Sequence, residues 1–233
     1  MVKKKLSLWG ESVWEEKIKK QDEKGVIHGG RFSKSDKITD GQVREVMMFL
    51  ETKAFKGLKK NAKVMDAGVG PLARHSIELS KRGYNVTGID VSKTTIEYAK
   101  KHSVEANIKM QFIKDDLTLL KNVKDKFDFV FCFGTFGHIP KILALDTLRN
   151  FNSKLNKNGL CFIHFWIEKK KTPFDIMKDF FYMIVHKIRI GSGKSFKVNC
   201  SFYSPEEIKE MMERSGFKII DRKNDFFLLE KIN

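Results

Sequence analysis

The sequence predicts an α/β fold in which a doubly wound, mostly parallel sheet of about seven strands is covered by helices on both faces. Apolar stretches of strand length alternate with amphipathic stretches of helix length over most of the chain. Several of the apolar stretches lack polar alternation, which is typical of strands buried on both faces of a parallel sheet. The last two strands are close in the chain and predict an antiparallel hairpin at one edge.

The N-terminal part of the chain is predicted to be an extension, residues 1–41, in front of a main domain, residues 42–233. The extension is polar and rich in turn-forming residues, with a short helix predicted at Ser12–Lys20 and a loop after it. Trp14 is a large apolar residue in this charged segment, so we expect the segment to dock on the main domain. Residues 42–58 place apolar side chains at near-helical spacing, which predicts a helix.

Strands and helices then alternate along the main domain. The predicted strands are Lys63–Ala67, Asn85–Asp90, Ile108–Lys114, Phe127–Phe133, Leu160–Ile167, Phe217–Arg222 and Phe226–Lys231. The predicted helices are Ala73–Arg82, Ser92–His102, Ile142–Leu155 and Pro205–Ser215. Ser92 is a favourable N-cap residue, and Gly83 and Gly216 are placed to end the helices before them.

One segment, residues 168–203, interrupts this alternation and is predicted to be a small lid insert. It contains Thr172-Pro173, a favourable helix start, followed by an apolar stripe at helical spacing. The stripe consists of Met177, Phe180, Phe181, Ile184 and Ile188. Apolar residues alternate over 196–202, so we expect an amphipathic helix and then a strand, laid over the end of the sheet.

The composition favours a soluble, globular, cytoplasmic protein. No apolar run reaches the roughly 18 residues of a membrane span, and Glu11 interrupts the apolar stretch that a secretory signal would need. The three cysteines are far apart and fit neither a disulfide framework nor a zinc site. The net charge of +16 comes mostly from lysine. Nucleic-acid sites favour arginine and aromatic platforms, but arginine is scarce in this sequence. A generic solubilising surface is therefore the favoured interpretation of the charge.

The residues that carry chemistry lie where the first three strands end. The segment Val64–Pro71 reads VMDAGVGP, and glycines at a strand-to-helix junction let the backbone approach a ligand. Asp90 follows Gly70 at the end of the second strand, where a carboxylate can accept both ribose hydroxyls of a nucleoside. Asp115 and Asp116 end the third strand. Open α/β sheets bind ligands at this edge, so the pattern predicts a nucleotide site.

In order and spacing, six segments resemble the class I S-adenosylmethionine-dependent methyltransferases. The segments are VMDAGVGPLARH, VTGIDVS, FIKDDL, FDFVFCFGTFGHI, LNKNGLCFIHF and YSPEEIKEMMERSGFKII. The resemblance covers residues 42–231 apart from the insert. It departs from the usual glycine motif at Leu72, where the family has a third glycine. The resemblance implies S-adenosylmethionine as the cofactor.

The resemblance also implies which residues bind the methionine part of the cofactor. Four residues of the glycine turn would line it, and the backbone near Phe133 would face its amino group. The four are Asp66, Ala67, Gly68 and Gly70.

A second group would bind the nucleoside. Asp90 would hold the ribose hydroxyls, and Val91 would pack on adenine. Asp116 would accept a hydrogen bond from the adenine amino group, with Leu117 beside the ring, while Asp115 is the alternative carboxylate for this position.

The acceptor implied by the resemblance is a small molecule that offers a nitrogen or oxygen nucleophile for in-line displacement. His138 follows the fourth strand and is the candidate general base. Residues 9–40 and 168–203 would close over the acceptor. The basic insert would favour an anionic acceptor, or its amphipathic helix would contact a membrane surface or a partner. The candidate lid residues are Trp14, Arg31, Phe32, Phe180, Phe181, Tyr182 and Tyr203.

Three alternatives stay open at this point. An RNA methyltransferase is less favoured, because the sequence has no Asn-Pro-Pro-Tyr-type motif and no appended RNA-binding module. A non-catalytic regulator would bind the cofactor while the Phe-rich stretch 129–136 filled the acceptor pocket. Gly68-x-Gly70-x-x-Ala73 also fits a dinucleotide fingerprint, although the chain lacks the second mononucleotide half that such an enzyme needs.

Overall fold

The computed structural model describes residues 2–23, 31–168 and 200–232, with the side chains of 11–21, 23, 40–168 and 200–232. Its strands, β1 to β7 in chain order, are Lys63–Ala67, Asn85–Asp90, Gln111–Lys114, Phe127–Cys132, Leu155–His164, Phe217–Lys223 and Phe226–Lys231. Its α-helices, α1 to α6 in chain order, are Val2–Glu23, Arg31–Lys53, Arg74–Lys81, Lys93–Glu105, Lys141–Lys154 and Pro205–Ser215. A 3-10 turn spans Phe136–His138.

The strands form one sheet in the order β3-β2-β1-β4-β5-β7-β6. β1 to β5 are parallel, whereas β7 is antiparallel to both β5 and β6. The predicted doubly wound, mostly parallel sheet with a C-terminal antiparallel hairpin is therefore confirmed. The chain order reverses between β1 and β4, and such a reversal opens a crevice at the carboxyl ends of the strands.

The two faces of the sheet are covered by different helices, and β4 shows how. Successive side chains of a strand point to opposite faces. Phe129 and Phe131 pack in a cluster with apolar residues of α2 and α3. Val130 and Cys132 pack in a second cluster with residues of α5 and α6. All four side chains are buried, which explains why the strand shows almost no polar alternation.

The N-terminal helices differ most from the sequence-based prediction. α1 spans Val2–Glu23 rather than Ser12–Lys20, and α2 begins at Arg31 rather than at residue 42. The predicted loop was wrong over residues 31–41, and residues 24–30 lie outside the described part. Tertiary packing can extend a polar helix that propensity alone would not support. In α2, Asp40 forms an ion pair with Arg74 at 3.1 Å.

Smaller differences occur elsewhere. β3 begins at Gln111 rather than Ile108, and β5 ends at His164, with Ile167 making only an isolated bridge to Tyr203. The predicted insert helix, its apolar stripe and most of its strand lie in residues 169–199, outside the described residues. Within the described ranges, no helix combines the length and the apolar character that crossing a membrane requires.

Candidate functional site

A cleft of about 200 Å³ lies at the carboxyl ends of β1, β2 and β4, at the reversal of strand order. The loops that follow these strands form its base, and the loop after β3, helix α1 and the 3-10 turn add further walls. The lining residues are Trp14, Ile18, Gly68, Gly70, Pro71, Asp90, Val91, Thr95, Asp116, Leu117, Thr118, Gly134, Thr135, His138, Ile139, Pro140 and Leu143.

The two glycines after β1 have different roles. Gly68 has a φ of 91°, and a Cβ atom built on it would lie 2.1 Å from Oγ1 of Thr135. The Thr135 hydroxyl also donates to the Gly68 carbonyl at 3.3 Å. A Cβ on Gly70, whose φ is 65°, would meet no atom within 4 Å. Gly68 thus permits the loop after β4 to approach, whereas Gly70 borders open space in the cleft.

Replacing Gly68 by alanine tests this close approach. We expect Gly68→Ala to lower the free energy of unfolding by about 3 kcal/mol, because both the left-handed backbone and the Thr135 overlap disfavour a Cβ. Gly83 is a matched control, since its φ is 89° but no atom lies within 4 Å of its Cβ position. Gly83→Ala should cost only about 1–2 kcal/mol. Urea unfolding measures both free energies. Equal losses of unfolding free energy in Gly68→Ala and Gly83→Ala would contradict the role given to Thr135.

Asp90 ends β2 with its carboxylate in the cleft. Its Oδ1 accepts from the Ser92 backbone N–H at 3.0 Å, and its Oδ2 accepts from the Gly70 N–H at 3.4 Å. Burial raises the pKa of Asp90 to about 6, against the lowering effect of these hydrogen bonds, and the nearby Glu15 carboxylate adds to the rise. The carboxylate is therefore held in place but retains acceptor capacity.

The two carboxylates after β3 have separate environments. Asp115 is buried, and its carboxylate accepts from the backbone N–H groups of Asp116, Asn122 and Val123 at 2.9, 2.6 and 3.1 Å. These three hydrogen bonds fold the loop after β3 back towards Asp115. Asp116 lines the cleft, and its Oδ1 accepts from the backbone and hydroxyl of Thr118, both at 2.8 Å. Of the two predicted alternatives, the geometry favours Asp116 as the residue that faces a ligand.

Asp66 lies beneath the glycine turn rather than in the cleft wall. It is 3% exposed, and the Ser76 hydroxyl donates to its Oδ2 at 2.5 Å. Burial raises the pKa of Asp66 to about 7; the Ser76 hydrogen bond opposes this rise, and the Asp90 charge adds to it. Asp66 is therefore a much weaker acid than an exposed aspartate.

This shift predicts a pH-dependent stability of the ligand-free protein. Because folding raises the pKa of Asp66, its stabilising contribution is present below the ordinary carboxyl pKa and is lost as pH rises through about 7. Relative to Asp66→Asn, the parent should lose at most ~4 kcal/mol between low and neutral pH. Urea unfolding across this pH range measures the difference. Parallel pH profiles for the two proteins would contradict it, and Asp125→Asn changes an exposed carboxylate as a control.

His138 stands between two tryptophan rings at the cleft. Its ring centroid lies 4.9 Å from that of Trp14 and 4.7 Å from that of Trp166, both edge-on. Gly137 makes room for this arrangement, because a Cβ atom there would lie 2.3 Å from the Trp166 ring. The Ser201 N–H donates to the Gly137 carbonyl at 2.6 Å, so the chain returning from the insert also fixes the 3-10 turn.

Most of the predicted site residues line the cleft together. They are Gly68, Gly70, Asp90, Val91, Asp116, Leu117 and His138. The described lining does not include Asp66, Ala67 or Phe133. Asp66 and Ala67 are buried in β1, and the Phe133 ring packs between the His75 and His164 rings at 4.6 and 4.7 Å.

The sequence-based prediction missed two lining residues in the loop after β4, Gly134 and Thr135. Gly134 has a φ of 67°, and a Cβ on it would meet no atom within 4 Å, as at Gly70. The sequence signal that could have identified Gly134 is a glycine placed just after a predicted buried strand. In the described part of the chain, no three His, Cys, Asp or Glu side chains are grouped so that they could hold a metal ion.

Comparison with known proteins gives a family and several methyltransferase relatives. Residues 40–222 match a family model described as a methyltransferase domain. The ubiquinone biosynthesis O-methyltransferase of Coxiella burnetii is 24% identical over 164 residues, which cover 70% of this chain and 66% of that protein. Its counterpart from Rickettsia bellii is 26% identical over 161 residues, or 69% and 63% of the two chains. The match thus spans slightly less than two thirds of these relatives.

Solved structures extend the likeness of the fold over more of the chain. Magnesium protoporphyrin IX methyltransferase from Synechocystis, solved with bound S-adenosylhomocysteine, has a TM-score of 0.69 at 17% identity and covers 95% of this chain and 99% of that one. An S-adenosylmethionine-dependent methyltransferase from Clostridium acetobutylicum has a TM-score of 0.63 at 13% identity, covering 88% and 100%. Since the family model spans most of the sheet and the cleft, the chain belongs to the class I S-adenosylmethionine-dependent methyltransferase family.

Proposed function

We propose that this chain transfers a methyl group from S-adenosylmethionine to an oxygen or nitrogen atom of a small molecule. Family membership supports the reaction type. One observation carries the proposal for this chain's own site. Among the described residues, the titratable side chains that line the cleft are Asp90, Asp116 and His138, which are two hydrogen-bond acceptors and a candidate base.

The residues of the cleft fit the cofactor. Gly70 and Gly134 border open space, so a ligand can approach the backbone of both loops. The 3.4 Å bond from the Gly70 N–H to Asp90 is long, and the carboxylate can exchange it for a ribose hydroxyl. In this proposal Asp90 holds the ribose, Val91 and Leu117 pack on adenine, and Asp116 accepts from the adenine amino group.

The glycine turn and the loop after β4 hold the methionine part. Gly68 and Gly70 line it directly, and the backbone of residues 133–135 faces its amino group. Asp66 lies beneath the glycine turn and would affect the methionine part only by supporting this turn. Ala67 forms the end of β1, from which the turn begins.

The chain's own contribution to the reaction is to hold, orient and deprotonate the acceptor. When bound, S-adenosylmethionine supplies a methyl group that its sulfonium already activates. His138 accepts the proton of the attacking hydroxyl or amine, and the T-shaped contacts with Trp14 and Trp166 fix its ring. Apolar walls exclude water and keep the acceptor in line for displacement.

The described wall of the cleft suits an acceptor with an apolar part. Apolar side chains contributed by α1, the 3-10 turn and α5 form much of its wall. They are Trp14, Ile18, Ile139, Pro140 and Leu143. Lys and Arg are absent from the lining within the described ranges. The expectation of an anionic acceptor rests on the basic insert, most of which lies outside the described residues, so it stays a prediction. The RNA alternative gains no basic side chain from the described lining.

The regulator alternative loses its main support. It relied on phenylalanines 129–136 filling the acceptor pocket. Phe129, Phe131 and Phe136 are buried in the core, and Phe133 packs between two histidine rings. Within the described residues none of them lines the cleft.

We also propose that residues 1–41 and 168–203 are lid segments on the main domain 42–233, and that the enzyme acts in the cytoplasm.

Turnover with a panel of acceptors tests the proposal. The purified protein is incubated with methyl-labelled S-adenosylmethionine and small phenols, small amines or total RNA, and release of S-adenosylhomocysteine is followed. We expect release with members of the small-molecule set and none with RNA. Labelling of RNA alone would support the RNA alternative, and cofactor binding without turnover on any acceptor would support the regulator.

A further inference from the structure

Helix α1 lies on the cleft although most of its residues are polar. Val13 and Ile18 are each 3% exposed, and Trp14 and Ile18 line the cleft. The helix as a whole is rich in Lys and Glu. Among the side chains of α1 that the structure describes, these three are the apolar ones on the body of the protein, and polar contacts add to their packing.

Glu15 supplies the main polar contact. Its carboxylate accepts from the backbone N–H groups of Lys93 and Thr94 and from the Thr94 hydroxyl, the last at 2.6 Å. Lys93 and Thr94 are the first two residues of α4, whose N–H groups have no partner within the helix. Burial alone would raise the pKa of Glu15, but the Thr94 and Lys93 hydrogen bonds lower it below its usual value. The contact is thus made by the ionised carboxylate at the positive end of α4.

The same turn of the chain holds the carboxylate proposed to bind ribose. The Ser92 N–H donates to Asp90, and the Ser92 hydroxyl accepts from Thr95 N–H at 3.0 Å. Glu15 therefore binds the two amides that lie between the Ser92 contacts. Its carboxylate is close enough to Asp90 to influence that group. Movement of α1 and the position of Asp90 are consequently linked through residues 90–94.

We infer that Glu15 is a positioning residue that fastens α1 to the first turn of α4, so that α1 holds the cleft closed around the cofactor. This inference rests on the proposed function for its effect on the cofactor, but the Glu15 contact itself does not depend on it. Glu11 adds a second ion pair from the same helix to Lys114, at the end of β3. Loss of Glu15 should free α1 while leaving the sheet and the glycine turn unchanged.

Release of S-adenosylhomocysteine from purified full-length protein measures this directly. Removing a charge-assisted contact with several donors should speed release roughly tenfold in Glu15→Ala, with Glu15→Gln in between. Glu16→Ala is the matched control, because it removes the same charge from the next residue, which forms an ion pair with Lys20 of the same helix at 2.7 Å. Release from Glu15→Ala at the rate of Glu16→Ala would overturn the inference.

Hydrogen exchange on the ligand-free protein separates this inference from the proposed function. In Glu15→Ala we expect faster exchange of the Val13 and Ile18 amides, with β1 and β4 unchanged. Thr94→Val removes the hydroxyl donor and should act in the same direction, and the double variant should be no worse than Glu15→Ala. Unchanged exchange in α1 would overturn the inference even if the cofactor binds. If the cofactor does not bind but exchange in α1 rises, the proposed function fails and the Glu15 contact stands.

Discussion

Replacing Asp90 by alanine is expected to weaken S-adenosylmethionine binding by roughly 100-fold or more, because two charge-assisted hydrogen bonds to the ribose are lost. Calorimetric titration measures the change. The loss of affinity should come without a loss of fold, since in the described part of the chain the Asp90 carboxylate bonds to backbone amides of its own loop and of the glycine turn. Asp125→Ala, which removes an exposed carboxylate paired with Lys63 at 3.3 Å, is the control and should bind normally.

The pH dependence of binding gives the same prediction a second test. The ionised form of Asp90 accepts the ribose hydroxyls, and its pKa in the ligand-free protein is about 6. Affinity should therefore be constant well above this value and should fall as pH drops through it. Unchanged affinity in Asp90→Ala, or affinity that rises toward acid pH, would remove Asp90 from the site.

Replacing His138 by alanine should lower kcat by roughly 100-fold or more, the usual contribution of a general base, while cofactor affinity stays near that of the parent. His102→Ala is the control, because His102 lies on α4 beside Glu105 at 3.0 Å and does not line the cleft. Normal turnover in His138→Ala would show that the histidine only shapes the wall.

Elements determined by local chemistry were predictable from the sequence. The bounds of β1, β2 and β7 agree with the prediction because each is a buried apolar stretch between turn residues. α6 agrees because Pro205 follows a Ser204 cap and Gly216 ends the helix with a φ of 74°. These signals lie within a few residues of the boundary that they determine.

Elements determined by distant contacts were not predictable. α1 is longer than its local pattern indicates, and its Glu15 contacts reach residues 78 and 79 positions away. A segment whose polar side chains find partners so far along the chain has no local signature of its own.

The site likewise has positions that the sequence could predict and positions that it could not. Parallel strands put their carboxyl ends at one edge, so the sequence could place Asp90 and Asp116 in one cleft. It could not decide between Asp115 and Asp116, because that choice depends on amides of Asn122 and Val123, which fold back to bind Asp115. Nor could spacing show that Phe133 turns toward His75 and His164 while Gly134 and Thr135 face the cleft.

Titration of the unmodified protein with S-adenosylmethionine and, separately, with NADH tests the central claim most directly. A glycine turn followed by an acidic residue at the end of β2 is shared by both kinds of nucleotide site, so the two ligands compete as explanations. We expect micromolar binding of S-adenosylmethionine and no binding of NADH. Binding of NADH, or no binding of S-adenosylmethionine, would contradict the assignment of the cleft.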